Sequence, residues 1–78
     1  MYIATFYTHL GALRFHKKLQ AMGDGTAVMM PVPRSLSASC GTCVGFSAPF
    51  SPELSSEDLE CVYKRHGDDF IKLYENDI

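Results

Sequence analysis

Apolar and polar positions divide the chain into short blocks. Tyr2-Ile3-Ala4-Thr5-Phe6-Tyr7 is aromatic or β-branched at most positions and predicts a strand. Thr8 then stands as an N-cap, and Leu10, Ala12, Leu13, Phe15, Leu19 and Met22 recur at helical spacing. Gly23 ends that helix, and Asp24-Gly25 is a turn signal. Gly11 costs a helix interior about 1 kcal/mol relative to alanine, so its presence points to close packing there. Residues 26–32 and 42–48 predict two further strands, the first limited by Pro31 and the second weakened by Gly45. A Pro-, Ser- and Gly-rich connection, residues 33–41, joins them. Ser55 and Ser56 stand as caps of a second helix running to about His66, with Leu59, Val62 and Tyr63 as its apolar stripe. Glu57 and Asp58 fall in its first turn and Lys64-Arg65-His66 in its last, which complements the helix dipole. Gly67 is its stop, and Phe70-Ile71-Lys72-Leu73-Tyr74 predicts a final strand.

The predicted order is strand, helix, strand, strand, helix, strand. That is the ferredoxin-like βαββαβ pattern of an α+β domain: a four-stranded antiparallel sheet with two helices on one face. The first strand carries apolar groups on both faces, Tyr2/Ala4/Phe6 on one and Ile3/Thr5/Tyr7 on the other. An open, apolar sheet face predicts a homodimer through that face, or a partner covering it. With 78 residues the chain is read as one domain, residues 1–78, whose small core would gain from such burial.

Composition narrows the function. The chain is 46% hydrophobic and 21% charged, which suits a globular protein. Its net charge of −2 gives no basic footprint for nucleic acid. Charge is uneven: Arg14, Lys17, Lys18 and Arg34 face one acid, Asp24, in residues 1–50, whereas the acids, Asp77 among them, gather in residues 51–78. This pattern reads as solvated faces, with an electropositive surface for an anion or acidic partner as the sharper alternative. No apolar run is long enough to cross a membrane and no leader pattern opens the chain. Three cysteines do not make a disulfide scaffold, so a cytoplasmic, thiol-bearing protein is expected.

Cys40-Gly41-Thr42-Cys43 is a C-x-x-C match outside the strand-to-helix setting of thioredoxin-like sites. A zinc site would need two more ligands, for which Cys61 and His66 are the candidates, yet Cys61 falls inside the second predicted helix; no metal and no cofactor are expected. Cys43 and Cys61 read as small buried hydrophobes. Cys40 lies in the connection instead, among the hydroxyls of Ser35, Ser37 and Ser39, the backbone of Gly41 and the cation of Arg34. Donors and a cation favour a thiolate, the nucleophilic form, and Gly41 leaves room beside the sulfur. His9 and His16 share one face of the first helix and read as surface residues.

Thr5-Phe6, Ala12-Leu13, Pro31-Val32-Pro33-Arg34 and Ser37-Ala38-Ser39-Cys40-Gly41 together resemble the selenium/sulfur carrier protein-like family of small bacterial domains. The resemblance spans nearly the whole chain, and its specific part is the Pro-Arg, Ser-rich, Cys-Gly stretch. It implies a carrier that holds sulfur or selenium as persulfide or perselenide on Cys40, between donor and acceptor proteins. Arg34, Ser37, Ser39 and Gly41 would be binding residues. Cys43 departs from the family pattern and adds a possible resolving thiol. Two alternatives stand beside the carrier: an interaction module using the open sheet face, and a Cys40/Cys43 dithiol switch.

Overall fold

The computed structural model describes residues 1–76, with the backbone alone at Pro52. Five strands and one helix follow each other as β1 (Tyr2–Phe6), α1 (His9–Ala21), β2 (Val28–Pro31), β3 (Thr42–Phe46), β4 (Leu59–His66) and β5 (Asp69–Glu75), with a short 3-10 turn at Pro52–Leu54. The strands form one antiparallel sheet in the order β2-β3-β1-β4-β5. β2–β3 and β4–β5 are hairpins, and β1 lies between them.

α1 forms as the spacing requires. The Thr8 hydroxyl accepts the Gly11 amide at 3.0 Å, and Gly11, Ala12, Phe15 and Leu19 are its buried stripe. Leu10 and Met22, expected in that stripe, are exposed. At the C-terminal end the Gly23 amide donates to Gln20 O (3.0 Å) and the Asp24 amide to Leu19 O (3.0 Å), with Gly23 at φ +92°. This is a Schellman cap, which glycine adopts at low cost. Asp24 then accepts the Thr26 amide (3.0 Å) and the Ala48 amide (3.1 Å), tying the helix exit to the end of β3.

The helix packs across β1, β3 and β2 on one sheet face. Its core there holds Ala4, Phe6, Val44, Phe46, Leu59 and Val62 against Ala12, Phe15 and Leu19. Phe15 meets Phe6 and Phe46 at centroid distances of 5.2 and 5.5 Å. Leu54 and Phe50 extend this layer, the Phe50 ring meeting Tyr74 of β5 at a centroid distance of 5.4 Å with the rings tilted by 53°.

The four-stranded, two-helix ferredoxin-like architecture is thereby corrected to five strands and one helix. The segment expected as a second helix is β4 and the loop before it. The reason is a bulge: β1 pairs Thr5 with Cys61 but Phe6 with Leu59, leaving Glu60 as the extra residue. The bulge places Leu59 and Val62, three residues apart, on the same sheet face, which imitates the spacing of a helical stripe. Gly67, expected as a helix stop, instead takes φ +63° in the two-residue turn between His66 and Asp69. Glycine at the first turn position suits a tight hairpin. Asp77, counted among the C-terminal acids, lies outside the described residues.

The other sheet face is covered by the chain itself. Ile3, Cys43, Cys61 and Tyr63 form a second buried cluster, and Met30, Val32, Leu36 and Phe70 pack on it. Leu36 and Val32 belong to the connection between β2 and β3, which lies over the sheet as a strap. The open face expected from the sequence is therefore closed by residues of the same chain.

Candidate functional site: a cysteine on a strap across the sheet

The strap runs from Val32 to Gly41. Its base is closed by the Val32 amide donating to Gly41 O at 3.1 Å, one step beyond the β2–β3 ladder. A turn follows, with the Leu36 amide on Pro33 O at 3.0 Å and Arg34 and Ser35 exposed. Leu36 turns inward onto the second cluster. Ser39 is then held by Glu60 of β4: its amide donates to Oε1 at 3.0 Å and its hydroxyl to Oε2 at 2.9 Å. Cys40 comes next, half-buried and unpaired, immediately before Gly41 and β3. It stands at the end of the sheet where α1 begins, and His9 Nδ1 lies 3.3 Å from Thr42 Oγ1 there.

The three thiols differ in setting. Cys43 has no solvent exposure, and its sulfur lies 3.7 Å from Pro31 O, to which the thiol donates. Burial pushes that thiol up to about 11. Cys43 pairs with Thr5 in one ladder and Thr5 with Cys61 in the next, so the two buried thiols flank Thr5 in one row across three strands. The Thr5 hydroxyl donates to Cys61 O at 3.4 Å. Cys61 is 7% exposed, on a strand and not within a helix. All three cysteines are free thiols, and among the described residues no group of three or more metal-ligating side chains converges.

A polar cavity of about 350 Å³ opens beside the strap, between Ser37 and β4–β5. Tyr7, Glu60, Cys61, Tyr63 and Lys72 line it. The Tyr63 hydroxyl is raised first by burial and then by hydrogen bonding with Cys61. Lys72 is paired with Glu75 at 3.2 Å, the main cause of its raised ammonium.

The structure thus brings Ser37, Ser39, Cys40 and Gly41 onto one strap, with Arg34 at its exposed outer turn. Both Ser39 donors are engaged by Glu60. Gly41 has a φ open to any residue, and nothing lies within 4 Å of where a Cβ would stand. The backbone at Gly41 therefore borders open space. Sequence reading missed Glu60, because a lone glutamate in a supposed helix carries no signal; only the bulge and the return of the strap bring it to Ser39.

Such an arrangement is a small antiparallel α+β domain that carries its least buried cysteine on a strap across the sheet. The chain belongs to the family described as Putative Se/S carrier protein-like, whose model matches residues 1–69. That match covers the strap and every strand except most of β5. No curated protein and no solved structure matches the chain. Among the described residues no helix is long and apolar enough to cross a membrane.

Proposed function

We propose that the chain carries one sulfur or selenium atom on Cys40, as persulfide or perselenide, between a donor protein and an acceptor protein. The observation that supports this reading is the sorting of the thiols: Cys40 is the least buried, Cys43 is sealed inside the sheet, and Cys61 shows only 7% exposure, at the wall of the polar cavity. In loading, the Cys40 thiolate attacks the terminal chalcogen of a donor persulfide. The new S–S or S–Se bond forms as the donor's bond breaks, and the donor cysteine leaves as thiolate with the electron pair. In unloading, an acceptor thiolate attacks the same terminal atom and Cys40 leaves as thiolate. Neither step needs a cofactor or a net oxidant. Arg34, exposed on the turn, offers a cation to the incoming partner. Gly41 leaves room for the partner's backbone, and Ser37 faces the cavity beside the strap.

The Cys40/Cys43 switch is the weaker reading. Cys43 is a poor resolving thiol with its proton held to about 11, and reaching it would require opening the strap base at Val32–Gly41. The interaction module loses its surface, because Leu36 and Val32 occupy the sheet face it would have used.

Incubation with a cysteine desulfurase and cysteine tests the assignment in variants. Cys40→Ser is expected to abolish sulfur acceptance, and Cys61→Ser to retain it. Equal loss in both variants would remove Cys40 as the carrier.

A further inference from the structure

Residues 37–40 carry the reactive part of the strap, and among the described residues their hydrogen bonds are the two that Ser39 donates to Glu60. These span 21 positions of sequence and cross from the β2–β3 hairpin to β4. Glu60 reaches the strap because it is the extra residue of the bulge, where the strand is free to re-aim a side chain. The residue type matters as well. A carboxylate is acceptor-only with two oxygens, so it takes an amide and a hydroxyl together, and charge-assisted bonds are roughly twice as strong as neutral ones. Lys72, the cation lining the same cavity, is paired with Glu75, which leaves the Glu60 carboxylate to Ser39.

We propose that Glu60 is a positioning residue for Cys40: its two-oxygen clamp on Ser39 fixes the strap in the geometry from which the neighbouring sulfur meets donor and acceptor. The proposal rests on the carrier reading for its purpose, though the clamp itself is measurable without it. Releasing the clamp leaves Cys40 on a segment anchored only by Leu36 on one side and the Gly41 base on the other. The sulfur then samples many orientations, and few suit in-line attack on a donor persulfide.

Three measurements on the full chain decide it, using Glu60→Gln, Glu60→Ala, Ser39→Ala and the double variant Glu60→Ala/Ser39→Ala. Amide exchange at Ser39 reads the clamp, iodoacetamide labelling reads access to Cys40, and sulfur acceptance from a desulfurase reads function. In Glu60→Ala, Ser39 exchange is expected to quicken about tenfold or more, the scale of one charge-assisted hydrogen bond. Sulfur acceptance is expected to fall by a similar factor, while labelling of Cys40 does not fall. Glu60→Gln, which keeps one acceptor, is expected to recover part of the loss. Adding Ser39→Ala to Glu60→Ala is expected to change nothing further, because Glu60→Ala has already removed the bond that the Ser39 hydroxyl makes. Slow labelling of Cys43, which has no solvent exposure, reports that each variant is folded, and the near-isosteric Glu60→Gln stands in if Glu60→Ala is not. Unchanged Ser39 exchange in a folded variant overturns the clamp. A loosened Ser39 with undiminished sulfur acceptance overturns the positioning role. A wild-type chain that accepts no sulfur defeats the carrier reading and the positioning role with it, while Ser39 exchange in Glu60→Ala still decides the clamp by itself.

Discussion

Cys43 stands inside the sheet with its sulfur toward Pro31 O and no solvent contact, and this setting has a consequence for stability against pH. Its folded value, about 11, lies above the ordinary 9.0 that the unfolded chain approaches. The folded state therefore holds the proton more tightly than the unfolded state. The contribution is fully present below about pH 9 and is lost as pH rises toward 11. Tyr63, raised by burial, acts in the same direction. Chemical denaturation between pH 8 and about 11 is expected to show a falling alkaline limb that is shallower in Cys43→Ala. An equal slope in both proteins would mean that the thiol is not held neutral by the fold. Asp24 works with the opposite sign at the acid end. The Thr26 hydroxyl, then backbone amides, hold its carboxyl low, so its contribution is lost as pH falls through the acid range.

At the scale of elements, α1 and its neighbour loop meet at Gly11. A Cβ there would run into Asp58 Cβ, an atom fixed close to its own backbone. Alanine would gain about 1 kcal/mol of helix propensity and lose about 1–3 kcal/mol to overpacking. Gly11→Ala is thus expected to lower the thermal midpoint by a few degrees, and a raised midpoint would show that the loop yields freely. The close packing that Gly11 signals was legible in the sequence. So were β1, the Thr8 cap, the Gly23 stop, β3 and β5, since each rests on local spacing or a single glycine. β4 was not legible, because its bulge is set by pairing with β1, far away in sequence. The same bulge hid Glu60, so the partner that holds Ser39 could not be read, whereas Cys40 itself could.

For the whole molecule, the strap changes what the sheet offers to others. The homodimer expected from an open face would have to displace Leu36 and Val32 from Ile3, Cys43, Cys61 and Tyr63. What remains exposed and apolar includes Val28, Ile71 and Leu73, on the two edge strands. Scattered apolar residues of this kind are ordinary for a monomer. Sedimentation at micromolar concentration is accordingly expected to give a monomer. A tight dimer in which Leu36 becomes protected would show that the strap opens to a second copy. The central proposal is that the chalcogen rides on Cys40; the family membership and the low burial of that cysteine support it. Its most direct test is to load the reduced native chain with a desulfurase and cysteine, isolate it, and locate the added atom by peptide mass mapping. The account predicts one sulfur on the peptide bearing Cys40, lost when an acceptor thiol is added. An adduct on Cys43 or Cys61, or none with several competent donors, would contradict it.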